Sequence, residues 1–221
     1  MRINTIDNLR GIAFILMVFQ HIFYFYDVSM NYTTSYSSID FIALSGTISR
    51  TLFILLAGYM IGYRETSIEK RAKRSGEILV HALLLTLVTY FLYPDYFIRF
   101  GILHFLAVGT LLISFLAPYN ILTIVCLIII LFIQIPKINP FIDLMTGSAI
   151  SPTAMDYFPL NVWLPVLLVG LILGQNLDFT KLDILDFNNI ITDIGKNSLN
   201  LYTTHVIILL VFYKLLNKNK I

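Results

Sequence analysis

Charge is what this sequence has least of. Only 13% of its 221 residues are Asp, Glu, Lys or Arg, while 57% are hydrophobic. A water-soluble domain carries about 25% charged residues, so this chain cannot cover a water-facing surface, and a soluble globular fold is excluded. The formal net charge is only +2. The basic residues are few, 15 in all, with five clustered between 64 and 74, so no phosphate-backbone footprint exists and nucleic acid drops out as a partner. The single cysteine, Cys126, lies in the apolar run 122–133. That excludes a disulfide framework and a Cys-based metal site, and leaves a small apolar filler. Also missing are a carboxylate pair, a Gly-rich phosphate loop, a Ser-His-Asp order, a metal-ligand cluster, internal repeats and heptads.

What the chain does have is long apolar runs. A spanning helix takes roughly 20 residues, which predicts an all-α, polytopic transmembrane helix bundle of about seven spans, one domain over residues 1–221. The spans are expected near 9–28, 43–63, 77–93, 101–118, 120–135, 158–175 and 198–216. Pro94, Pro118, Pro136 and Pro159 fall at their boundaries, where a missing N–H costs least. The first run is too long for a signal-peptide core and ends in Asp27-Val-Ser-Met without a small-residue cleavage site, so it reads as a retained span. The stretch 141–155 is too short and polar to cross, and reads as an ordered loop or a re-entrant piece. Arg64, Lys70, Arg71, Lys73 and Arg74 lie between the second and third spans. The positive-inside rule puts that loop and the N-terminus in the cytoplasm of a multi-pass cell-membrane protein. Seven spans then send the C-terminus outside, against the pull of Lys214, Lys218 and Lys220.

Ionisable groups at membrane depth are costly and are functional candidates by default. His21 follows Arg10 by 11 residues, which is three helical turns plus about 20°, so the two share a face with Asp7, Met17 and Tyr24. Asp7 and Arg10 have the spacing of an i,i+3 pair. Arg10 is either an interfacial anchor or the holder of an anion such as a cofactor phosphate. His21 is either a core histidine or a general base. His104 opens the fourth span and His205 lies in the last beside Asn200 and Thr204, each equally suited to a structural bond. His81, near the basic loop, reads as structural. Asp156 either caps the sixth helix or faces an outer cavity, and Trp163 suits an aromatic belt. This inventory favours proton or acyl transfer over metal chemistry, so no metal is expected. A small transporter or proton-coupled permease with a buried Arg/His path is the alternative, although no inverted repeat or broken helix supports it.

Five blocks in order carry a family resemblance: Ile6-Asp-Asn-Leu-Arg-Gly-Ile-Ala-Phe-Ile-Leu-Met-Val-Phe-Gln-His, Arg99-Phe-Gly-Ile-Leu-His-Phe-Leu, Asp156-Tyr-Phe-Pro-Leu-Asn-Val-Trp, Gly170-Leu-Ile-Leu-Gly and Gly195-Lys-Asn-Ser-Leu-Asn-Leu-Tyr-Thr-Thr-His. Together they resemble short prokaryotic members of the heparan-alpha-glucosaminide N-acetyltransferase catalytic-domain family, and the Arg-to-His spacing is similar to that of the membrane acyltransferase 3 group. The resemblance implies a bundle that takes acetyl-CoA from the cytoplasm, needs no metal, and passes the acetyl group to a hydroxyl or amine of a glycan-like or envelope acceptor. It implies His21, His104 and His205 as catalytic residues, Arg10 and Asp7 on the acetyl-CoA side, and Asp156 and Trp163 on the acceptor side. The lipid bilayer is the expected surrounding, and a homodimer is compatible with it.

Overall fold

The structure, a computed structural model, describes residues 3–29, 39–133, 136–148, 154–179 and 190–218. Lys220 and the middle of the 141–155 stretch lie outside them. The described residues form helices and no strand: α1 (Asn4–Ser29), α2 (Asp40–Tyr63), α3 (Ile68–Leu92), α4 (Ile102–Ser114), α5 (Asn120–Phe132), α6 (Pro140–Thr146), α7 (Leu160–Asn176), α8 (Ile190–Lys196) and α9 (Ser198–Lys218). Four of them, α1, α2, α3 and α9, are long and apolar enough to cross a membrane. The apolar helices α4, α5 and α7 have 13, 13 and 17 residues. That is roughly 20–26 Å, short of a hydrocarbon core of about 30 Å. Outward apolar side chains such as Phe132 at 83% exposure and Phe91 at 73% suit lipid.

Three elements differ from the sequence expectation, and one of them, the short helix α8, has no counterpart among the expected spans. The basic stretch was expected as a loop, but α3 already begins at Ile68, because Glu-Lys-Arg-Ala-Lys-Arg is a strong helix former despite its charge. Ser67 caps it, accepting a hydrogen bond from Lys70 N, and Glu69 sits at the favourable end of the helix dipole. Within 141–155 a short helix, α6, forms. Asn139 accepts from the backbone of Phe141 and Ile142, Pro140 opens the helix, and Gly147 closes it at φ 84°.

The chain divides into two compact units, residues 1–53 with 179–221 and residues 54–178. In the first, α1 packs against α8, α9 and the start of α2. A Cβ on Gly11 would run into the Ile191 carbonyl, and one on Gly195 into the Asp7 carbonyl, so glycine permits backbone contact between α1 and α8. Fully buried Asn8 accepts a 2.5 Å hydrogen bond from Thr192 at the same seam. Ser49 of α2 donates to Ala13 O at 2.7 Å while Gly46 faces Gln20, so α1 and α2 run antiparallel. On the α9 side, Phe14 meets His205 and Tyr26 meets Tyr213, so α1 and α9 run parallel.

In the second unit, α2 and α7 run parallel through two facing small-residue pairs. Gly58 and Gly62 abut the backbone at Leu167 and Leu171, while Gly170 and Gly174 abut that at Leu55 and Tyr59. A side chain at any of them would part the two helices. Antiparallel packing of α3 on α4 is marked by the 2.6 Å bond from Ser75 to Ala107 O. Asn120 and Thr123 of α5 meet Asn176 and Gln175 of α7, also antiparallel.

Candidate functional site

The first unit brings two of the sequence-predicted histidines together. His21 Nδ1 of α1 lies 2.9 Å from His205 Nε2 of α9. The ring planes differ by 12° and the centroids are 5.2 Å apart. That separation matches the nitrogen contact plus about one ring radius at each end, so the rings meet edge to edge, as an in-plane hydrogen bond requires. His205 Nδ1 lies 3.0 Å from Leu201 O. A carbonyl only accepts, so His205 Nδ1 carries the hydrogen, and in a neutral ring His205 Nε2 is then an acceptor. His21 Nδ1–H must therefore donate to it, which leaves the lone pair of His21 on Nε2. One backbone carbonyl thus fixes two tautomers and presents a basic nitrogen. Phe14, Phe25 and Tyr202 surround the pair with ring contacts of 5.2–6.2 Å.

Toward the start of α1, the Arg10 guanidinium lies 3.4 Å from Asp7 Oδ1, with the arginine side chain 26% exposed and the aspartate 4%. Asp7 is therefore a buried holder of an arginine whose side chain stays partly exposed. The glycine contact at Gly195 fixes the same turn from behind. Asp7, Arg10 and His21 thus lie along one helix, with α8 and α9 supplying the wall.

His104, Asp156 and Trp163 belong to the second unit. Gly101 N–H donates to His104 Nδ1 at 3.3 Å, so the hydrogen is on Nε2. His104 Nε2–H donates to Thr86 Oγ1 at 3.2 Å, and Thr86 in turn donates to Ile98 O at 2.8 Å. Both ring nitrogens of His104 are engaged. Asp156 Oδ2 accepts from Ile102 N at 2.9 Å. It therefore caps α4 rather than the helix that follows it in sequence, a long-range cap that spacing cannot reveal. Trp163 packs on Phe158, centroids 4.9 Å apart.

The basic stretch does two different things. Arg71 donates to Ser114 O, Ile61 O and Arg64 O at 2.8–3.1 Å and to Thr66 Oγ1 at 3.0 Å, closing the ends of α2 and α4 with one guanidinium. Lys70, Lys73 and Arg74 are exposed, with Arg74 paired to Glu77 at 2.9 Å.

Sequence reasoning missed Arg50. It stands in the interior of α2, where its Nε donates to Gly46 O at 3.0 Å. The signal was present, since it is a lone cation in the apolar run 41–63 and meets the membrane-depth criterion that singled out the histidines. Among the described residues no group of three or more His, Cys, Asp and Glu is placed to hold a metal ion.

No curated protein and no solved structure matches the chain. One family does: the sequence model of "Heparan-alpha-glucosaminide N-acetyltransferase, catalytic" matches residues 2–207, nearly the whole chain and all five sequence blocks. The chain belongs to this acetyltransferase family.

Proposed function

We propose that the protein is a membrane acetyltransferase that takes its acetyl group from cytoplasmic acetyl-CoA and passes it to an amine or hydroxyl of a glycan-like or envelope acceptor. The observation that carries this reading is the His21 to His205 hydrogen bond, oriented by Leu201 O. It leaves a base, His21 Nε2, pointing away from its own support. The acceptor's oxygen or nitrogen gives its proton to His21 Nε2 as it attacks the acetyl carbon. His205 holds the ring and shares the positive charge that results. Arg10, steadied by Asp7, holds a phosphate of the donor through its planar fork.

His104 is assigned a positioning role: with Asp156 it holds the first turn of α4, and Asp156 and Trp163 are assigned to acceptor binding. Seven alternating crossings with a cytoplasmic N-terminus accommodate these roles. Within the first unit the antiparallel α1/α2 and parallel α1/α9 pairs fit that alternation, and within the second so do the antiparallel α3/α4 and α5/α7 and parallel α2/α7 pairs, although α4, α5 and α7 by themselves fall short of the hydrocarbon core. The transporter alternative draws no support from the family.

The test is transfer of label from acetyl-CoA to glucosamine, an acceptor in keeping with the family's description, by protein purified in detergent. Labelled N-acetylglucosamine with stoichiometric free coenzyme A thiol is expected. Acetyl-CoA that stays intact with glucosamine and with extracted envelope lipids and glycans would refute the reading.

A further inference from the structure

We propose that Arg50, together with the Gln20 amide, is a further catalytic element that holds the acetyl carbonyl oxygen and takes up the negative charge that develops there. The inference rests on the acetyltransferase reading above and adds the half of the reaction that a histidine base does not supply.

Arg50 lies ten residues into α2, about 15 Å along its axis. A cation there is costly unless it is paired or used. Among the described residues its hydrogen bond is the one from Nε to Gly46 O, both terminal nitrogens are unspent, and no carboxylate lies within ion-pair distance of it. One of them, Nη2, shares with Gln20 of α1 the space beside Gly46. Arg50 Nη2 is 3.4 Å from the point where a Cβ on Gly46 would stand, and Gln20 Cγ and Cδ are 2.7 and 3.1 Å from the same point. Gly46 thus opens a notch that the guanidinium and the Gln20 side chain share. Gln20 immediately precedes His21, so its side chain leaves α1 about 100° around the axis from the imidazole and only about 1.5 Å along it. The notch on the α2 side and the histidine pair on the α9 side therefore flank one level of α1.

Acyl transfer needs two opposed groups. As the acceptor's oxygen or nitrogen bonds to the carbonyl carbon, its proton passes to His21 Nε2 and the carbonyl π pair moves onto oxygen. The Arg50 and Gln20 donors meet that oxygen in low-dielectric surroundings, where preorganised donors act most strongly. On collapse the C=O bond reforms, the C–S bond breaks, and the coenzyme A thiolate leaves with the proton returned by His21. The products are the acetylated acceptor and free thiol.

The experiment compares wild type with Arg50→Gln, Arg50→Lys and Gln20→Ala, all monodisperse in detergent. It measures kcat and KM for acetyl transfer to glucosamine, and the affinities of S-(3,3,3-trifluoro-2-oxopropyl)-coenzyme A and S-(2-oxopropyl)-coenzyme A. The trifluoroketone hydrates to a tetrahedral mimic, so the ratio of the two affinities reports oxyanion binding without turnover. Arg50→Gln is expected to lower kcat by about 10²–10³-fold with acetyl-CoA KM within threefold, and to abolish the wild-type preference for the trifluoroketone. Arg50→Lys retains part of both, and Gln20→Ala loses less than Arg50→Gln. Unchanged kcat in Arg50→Gln, a higher acceptor KM at constant kcat, or an undiminished trifluoroketone preference overturns the proposal. If Arg50→Gln does not fold, an unaltered preference in both Arg50→Lys and Gln20→Ala overturns it. Loss of transfer in His21→Ala with full transfer in Arg50→Gln sinks this inference alone, whereas a wild type without transfer sinks the acetyltransferase reading and this inference with it.

Discussion

His21 Nδ1 and His205 Nε2 lie 2.9 Å apart although 184 residues separate them, and Leu201 O fixes which of the two nitrogens carries the hydrogen. In the proposed reaction the base is therefore set by a backbone carbonyl one turn below His205. If so, His205→Ala frees the His21 ring to rotate and to exchange tautomers. Turnover is expected to fall, but by less than the roughly 10²–10⁴-fold attached to a lost general base, with acetyl-CoA affinity unchanged. Steady-state kinetics beside a binding isotherm check this. A His205→Ala protein with wild-type kcat would show that the pair is a packing feature.

Arg10 is expected to act on donor binding. A charge-assisted contact is worth about 1.5–3 kcal/mol, so Arg10→Ala should weaken acetyl-CoA affinity by roughly one to two orders of magnitude. Arg10→Lys should recover only part, because a point charge lacks the fork. Calorimetric titration in detergent separates this from an anchoring role, which Lys would fill as well as Arg.

Arg71 makes the opposite prediction. Its guanidinium is spent on three carbonyls and a threonine hydroxyl, which an ammonium cannot span. Arg71→Lys is expected to lower thermal stability, by about 1–3 kcal/mol if two bonded partners are lost, and to leave acetyl-CoA affinity unchanged. A thermal melt and a binding isotherm on the same sample decide it.

Much of the site's layout was legible in the sequence because helical periodicity is. The 11-residue step from Arg10 to His21 places both on one face, and Asp7 joins them by i,i+3 spacing. Periodicity says nothing about partners far along the chain, so the meeting of His21 with His205 and the capping of α4 by Asp156 emerged only from the folded chain. Hydropathy hid the start of α3, since it scores Glu-Lys-Arg-Ala-Lys-Arg as loop whereas backbone propensity makes it helix. Arg50 escaped for a different reason. A single guanidinium in an apolar run has no carboxylate partner in its own sequence neighbourhood, and Gln20 comes beside it only in the folded chain.

Orientation is open to a direct check. With Cys126→Ala as background, a cysteine at exposed Glu65 should be shielded in intact cells from a membrane-impermeant maleimide and react in inverted vesicles if the basic stretch that follows obeys the positive-inside rule. Labelling in intact cells instead would reverse the bundle and place the donor on the other face.

The central claim is that His21 Nε2 removes the acceptor's proton. Acetyl transfer from labelled acetyl-CoA to glucosamine, measured for wild type and for folded His21→Ala alongside acetyl-CoA affinity, tests it most directly. Transfer should fall by at least the roughly 10²–10⁴-fold of a lost general base while affinity stays within a few-fold of wild type. Near-wild-type transfer by His21→Ala would contradict the claim.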